Sequence, residues 1–407
     1  MKLVQFGAGN IGRSFIGQIF SKAGWEVVFV DIDQKIITEI NKRHEYRVEI
    51  KDRVPQTIHV RNVRGVLAQD IEAVTDEVCT SDIAATAVGK DALTYIVKPI
   101  ATGLVKRLDR FSFRPLDIIL CENMLNAAAF FREALRRHLP EDFPLDSMVG
   151  LVETSIGKMV PIMSEEERVA DPLLVYAEAY NTLILDRKGF RGPIPDVPEL
   201  ELKENMKPYV DRKLFIHNMG HAVLGYTSYV FYPDYRYVWE AAENDKLFIV
   251  TRNAMWESGA ALISRYPEEF NNRSMGEYID DLLIRFKNRA LGDTIFRVGR
   301  DLYRKLGPED RLIGSIRLCI EQGIKPINIA LGTASALLFR GIDEYGNLFP
   351  QDRVFHDEEL SKGINHVLEN VSRLKNEDVK SLIRHYYSRI KGGARDIEAL
   401  LSEVKGL

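Results

Sequence analysis

The sequence predicts an α/β fold, with an N-terminal doubly wound sheet followed by a mostly α-helical C-terminal domain. Three observations predict it. A glycine turn joins a strand to a helix in "KLVQFGAGNIGRSFIGQIFSKAGWEVVFVDID". Strand-like and helix-like runs then alternate, as in a parallel sheet covered on both faces. Past a Pro- and Gly-rich stretch, helical periodicity takes over.

The elements follow in order. Leu3 to Phe6 reads as the first strand. The next helix carries Ile11, Phe15, Ile16, Ile19 and Phe20 at helical spacing, and Gly24 falls where a C-cap glycine belongs. "EVVFVDID" is a continuous apolar strand, as a sheet buried on both faces requires. Asp82 to Gly89, Leu116 to Leu120 and "SMVGLVETS" read as further strands, and "LLVYAEAYNTLILD" adds strand pairs. The stretch from Lys188 to Leu200, "KGFRGPIPDVPEL", is the natural boundary, giving domains 1–195 and 196–407. A chain of 407 residues exceeds what one core usually serves, which fits two domains.

Composition excludes several classes. Apolar residues at 45% and charged residues at 28% make an ordinary globular profile rather than a disordered or membrane one. A net charge of -4 argues against nucleic acid as a partner, though not against a local basic pocket for a small anion. Cys79, Cys121 and Cys319 are far apart and follow no metal or disulfide spacing, which suits a reducing compartment. With no signal peptide and no apolar run near the ~18 residues that span a bilayer, the expectation is a cytoplasmic protein without membrane partners.

Gly7, Gly9 and Gly12 form GxGxxG between strand and helix, a Rossmann-type turn. Gly7 permits the tight turn, Gly9 lets a pyrophosphate approach the backbone, and Gly12 lets helix and strand pack closely. The helix start offers free N–H groups to phosphate. Asp31 ends the second strand, where a carboxylate accepts from the adenosine ribose hydroxyls. That acid disfavours a 2′-phosphate, so the cofactor is NAD rather than NADP. Arg13 beside the third glycine tempers this, because it could meet a phosphate.

In the second domain "DRKLFIHNMGHA" brings Lys213, His217, Asn218 and His221 together. On one α-helix they share a face under half the circumference wide. A zinc reading fails for want of a glutamate and a third ligand, so no metal is expected. The ordinary reading of such a helix is hydrogen-bonded core histidines and a solvated lysine. An NAD domain that oxidises an alcohol, however, needs a proton acceptor. A desolvated lysine can serve, with Asn218 and His221 as donors to the reacting oxygen. Gly220 leaves room for a ligand at the backbone.

With these residues in view, "FGAGNIGRSFIG", "TAVG", "CENM", "RKLFIHNMGHA", "MWESGAALISRY" and "RVGRDLYRKLGPEDRLI" resemble the polyol-specific long-chain dehydrogenases, nearest the branch acting on mannitol 1-phosphate. The resemblance runs in order from residue 1 to about 340, and its specific part is the K-x4-N-x2-H pattern. It implies metal-independent, NAD-linked oxidation of a secondary alcohol, giving fructose 6-phosphate from mannitol 1-phosphate. Lys213 would be the base, Asn218 and Asn123 would hold the reacting oxygen, and His221 would orient the substrate. The cofactor set would comprise Gly7, Gly9, Asn10, Ile11, Gly12, Asp31, Thr86 and Val88. Arg297 and Lys305 match positions that contact polyol hydroxyls. Arg297, Arg300 and Arg304 recur at helical spacing, and Arg300 is the expected phosphate partner. The rival reading of that run is a solvated basic face paired with Asp301 and Asp310.

Two departures from the family pattern stand out. Ile156-Gly157-Lys158 replaces a usual Val-Asp-Arg, and His217 occupies a position that is usually aliphatic. They leave an unphosphorylated polyol or hexonate (mannitol, altronate) as the alternative substrate. An NAD-binding regulator without turnover is a further alternative. The expected assembly is a monomer or small homo-oligomer.

Overall fold

The computed structural model describes residues 1–404 apart from Arg53, Lys90, Leu125 and Ile162. It divides into two compact units, Met1–Tyr209 and Val210–Leu407.

The first unit holds eleven strands among its described residues: β1 (Lys2–Phe6), β2 (Glu26–Asp31), β3 (Glu45–Ile50), β4 (Gln56–Arg61), β5 (Val63–Leu67), β6 (Ile83–Thr86), β7 (Leu116–Leu120), β8 (Val149–Ser155), β9 (Val175–Ala177), β10 (Leu183–Asp186) and β11 (Leu200–Lys203). Eight form one sheet in the order β11-β10-β8-β7-β6-β1-β2-β5. From β5 across to β8 every pairing is parallel, β10 runs antiparallel to β8, and β11 is parallel to β10. Successive strand residues point to opposite faces. Leu3, Val27, Phe29, Ile83 and Ile119 therefore enter one core, while Val4, Phe6, Val28, Ala84 and Ile118 enter the other. This is the doubly wound sheet the alternating pattern predicts.

A second sheet, β4-β3-β9, was not legible in the sequence. Its hairpin alternates buried and exposed residues (β3 reads Tyr46, Val48 and Ile50 inward), a weaker signal than an all-apolar run. "LLVYAEAYNTLILD" splits between the sheets, β9 joining the small one and β10 the large one.

The Pro/Gly-rich stretch is not a loose linker. The buried Asp117 carboxylate on β7 accepts from Arg191 N at 2.7 Å and Gly192 N at 3.0 Å, fastening the loop to the sheet. β11 then pairs with β10, so the division falls after Tyr209, downstream of 195/196.

The described residues of the second unit are mostly helical. Its centre is the almost wholly buried helix Met219–Phe231, packed against the helices Asp245–Arg265, Ile295–Gly299 and Ile327–Leu337. The helix Glu377–Lys391 packs on Ile327–Leu337, so the segment beyond residue 340, where the sequence resemblance stops, adds to this core. Gly220 serves that packing rather than a ligand: a Cβ there would lie 2.7 Å from Met255 Cγ. No helix among the described residues is long and apolar enough to cross a membrane.

Candidate functional site

Each unit carries one part of the predicted set. In the first, Gly7 has φ +92°, and a Cβ there would strike the Ala87 carbonyl. A Cβ at Gly12 would strike the Gly7 carbonyl. Gly9 has no atom within 4 Å of where its Cβ would stand, so the turn is open on that side. Two glycines closed by backbone and one open to a ligand is the arrangement a pyrophosphate cradle needs. Asn10 and Ile11 open the helix that follows, which has π geometry from Gly12 to Gly17 before continuing as Gln18–Lys22.

Asp31 ends β2 as expected. Its Oδ2 accepts from Ala8 N at 2.6 Å and its Oδ1 from Asp33 N at 2.9 Å. Each oxygen retains a lone pair for a ribose hydroxyl. Arg13 is buried, its Nε donating to Ala8 O at 2.6 Å and its Nη1 to Pro172 O at 3.0 Å. Those bonds commit Nε and Nη1 to protein carbonyls, which weighs against a phosphate contact. Thr86 and Val88 stand at and just past the end of β6, and Asn123 follows β7 in an exposed turn. All these residues gather at the carboxyl ends of β1, β2, β6 and β7, which lie side by side, where doubly wound sheets bind their ligands.

In the second unit Lys213 opens a π-helical turn, Lys213–Asn218, between the helices Lys207–Arg212 and Met219–Phe231. The angles drawn from a straight α-helix therefore do not hold, because a π turn closes i to i+5 and rotates the side chains relative to one another. Such turns recur at functional sites. The Lys213 amine is lowered to about 8 by burial, with the Arg311 guanidinium adding to the effect. Burial also pushes the His217 and His221 imidazoles down, His221 to about 3, with Arg297, Lys305, Arg311 and Arg285 reinforcing it. His221 is thus neutral at any working pH. Its ring stacks on Phe286 with centroids 4.8 Å apart, and its Nε2 lies 3.7 Å from Asp293 Oδ2. His217 is buried, and its Nδ1 has no hydrogen-bond partner among the described residues. No group of three or more His, Cys, Asp or Glu among the described residues could hold a metal.

The basic run departs from one helical face. The helix Ile295–Gly299 ends, Arg300 is extended, Asp301 takes φ +73°, and a short helix resumes at Leu302–Lys305. The break is held by Asp352, whose carboxylate accepts from Asp301 N at 3.1 Å and Leu302 N at 2.6 Å. Arg304 pairs with Asp301 and Asp310, as the rival reading expected. Arg297 pairs with the buried Asp293. Lys305 is buried and donates to Val298 O, its ammonium pushed well down by burial. Arg300 is exposed, stacks on Phe349 at 5.3 Å, and has no acidic partner among the described residues.

Sequence reasoning missed Arg311, Arg285 and Asp293. Arg311 lies inside a quoted motif, but only the fold brings it near Lys213. There Ser315 donates to Phe215 O at 3.4 Å, and Gly314 lets the Phe215 ring lie close, which seats the helix Ile313–Glu321 on the π turn.

A glycine turn shaped for a dinucleotide in one unit, and a half-buried lysine of lowered pKa near Arg311 in the other, are parts that suit a dinucleotide-linked alcohol dehydrogenase. The mannitol dehydrogenase Rossmann domain matches residues 1–199 and the mannitol dehydrogenase C-terminal domain matches residues 205–404. The chain belongs to the mannitol dehydrogenase family. A mannitol-1-phosphate 5-dehydrogenase from Brevibacillus brevis is 36% identical over 341 residues, covering 83% of this chain and 86% of that one. Two solved structures share the fold over 99% of this chain and 94% of theirs. They are the Pseudomonas fluorescens mannitol 2-dehydrogenase ternary complex with NAD and D-mannitol (TM-score 0.77, 15% identity) and a D-sorbitol dehydrogenase in substrate-free form (TM-score 0.80, 18% identity).

Proposed function

We propose that this chain catalyses the reversible NAD-dependent oxidation of a linear polyol phosphate, mannitol 1-phosphate to fructose 6-phosphate. The observation that carries the reading is Lys213, lowered to about 8 by burial and the Arg311 guanidinium, on the same π turn as Asn218. When bound, NAD accepts the hydride in oxidation and returns it in reduction. Lys213, once neutral, takes the proton of the reacting hydroxyl. Asn218 and Asn123 donate hydrogen bonds to the oxygen as charge develops on it. Neutral His221 has one N–H to give and orients a neighbouring hydroxyl. Arg297 and Lys305 hold further hydroxyls, and Arg300, without an acidic partner among the described residues, takes the phosphate. Gly7, Gly9, Asn10, Ile11, Gly12, Thr86 and Val88 seat the dinucleotide, and Asp31 selects the ribose without a 2′-phosphate.

The phosphate rests on two supports. The Brevibacillus brevis relative is named for a phosphorylated polyol. Three guanidinium groups, those of Arg297, Arg311 and Arg285, act together on His221, a local field that suits an anionic substrate. An unphosphorylated polyol is the second reading, favoured by the pairing of Arg297 and Arg304 with protein carboxylates. Side-by-side kinetics decide. Mannitol 1-phosphate is expected to exceed mannitol in kcat/KM by at least about a hundredfold, roughly two charge-assisted hydrogen bonds at 1.5 to 3 kcal/mol each. Equal kcat/KM on both would remove the phosphate. We further propose a cytoplasmic monomer or small homo-oligomer.

A further inference from the structure

We infer that Glu122 is a positioning residue, whose carboxylate ties the turn after β6 to the turn after β7 and so aligns Val88 and Asn123. This inference rests on the proposed NAD-dependent function.

Glu122 is 8% exposed. Its Oε1 accepts from Val88 N at 2.9 Å and its Oε2 from Gly89 N at 2.9 Å. Two successive N–H groups converge on one anion because the chain turns through Gly89 at φ +85°. Such a backbone nest is a shape proteins also use to bind phosphate. Here the protein fills it with its own side chain, and among the described residues no cation pairs with that carboxylate.

The tie spans residues the chemistry needs. The sheet ladder carries on past β6 and β7, with Ala87 N donating to Phe6 O at 2.8 Å and Cys121 N to Thr86 O at 2.9 Å. Ala87 O closes on Gly7. Glu122 locks the next step outward, immediately before Asn123. Three adjoining turns, after β1, β6 and β7, are thereby fixed relative to one another before any ligand arrives. A carboxylate that only braced the fold would leave cofactor affinity and hydride positioning alone.

Glu122→Gln keeps the reach but offers one acceptor oxygen, leaving an N–H facing an amide NH₂. NADH binding, read by protein-to-NADH energy transfer, is expected to weaken about tenfold as preorganisation is lost. The primary deuterium isotope effect on oxidation of mannitol 1-phosphate is expected to rise, because a misaligned donor makes the hydride step more limiting. Glu122→Asp, with charge retained and one methylene fewer, should fall between. NADH affinity within twofold of wild type and an unchanged isotope effect, in folded Glu122→Gln or, where that variant does not fold, in Glu122→Asp, would overturn the assignment and leave Glu122 a brace. Wild-type protein that binds no NADH would instead overturn the functional reading, and this inference with it.

Discussion

A lysine is a base near neutral pH only where its ammonium is poorly solvated, and Lys213 meets that condition. Its amine must be neutral to accept a proton, so polyol oxidation should rise with pH up to about 8 and then level. Burial holds the His221 imidazole down to about 3, so His221 itself adds no rise between pH 6 and 7. Mannitol 1-phosphate itself titrates at about 6 at its phosphate, so the check uses an unphosphorylated polyol: a step at about 6.5 in kcat/KM that persists there would contradict the assignment. The same shift bears on stability. The folded chain holds this proton less tightly than the unfolded chain, so stability rises with pH between about 8 and the ordinary lysine value. Below pH 8 the buried ammonium is a net cost, and Lys213→Met should melt at a higher temperature than wild type at pH 7. A lower melting temperature would contradict a lowered proton affinity at Lys213. These features were half legible. The K-x4-N-x2-H spacing marked the residues, but neither the neutrality of His221 nor the influence of Arg311 follows from spacing, because both come from neighbours distant in sequence.

At the scale of elements, regular pieces were readable and irregular ones were not. β1, β2, β6, β7 and β8 declare themselves as apolar runs because both their faces are buried. The π turn at Lys213 carries no distinct sequence signature, since the same apolar spacing serves an α-helix. The break at Arg300 was missed for a related reason: its stop signal is an acid far along the chain, Asp352, rather than a local cap. Asp352→Ala should strand two N–H groups, costing about 1 to 3 kcal/mol each in a melt. It should also raise KM for mannitol 1-phosphate as Arg300 loses its fixed place. An unchanged KM would separate Arg300 from substrate binding. Asp117 is the counterpart in the first unit. Asp117→Ala should destabilise by a similar amount, about 1 to 3 kcal/mol per stranded N–H, measured by urea unfolding, and should leave turnover of the folded enzyme near wild type.

For the whole molecule, the change from strand to helix periodicity announced two domains of different class, and the structure divides accordingly. The division lies beyond the Pro/Gly-rich stretch because composition marks a loop without saying what holds it, and Asp117 holds this one. Of the proposed residues the glycine turn was the most legible, since a pyrophosphate cradle is built from consecutive residues. The residues proposed to hold substrate were less so, since they are drawn from separate helices. The account turns on Lys213, and its most direct test is steady-state oxidation of mannitol 1-phosphate by Lys213→Ala, with NADH affinity measured in parallel. Turnover should fall by at least about a hundredfold, the span of a general base, while NADH binding stays within a few-fold of wild type. Turnover within a few-fold of wild type, with NADH still bound, would show that another group takes the proton.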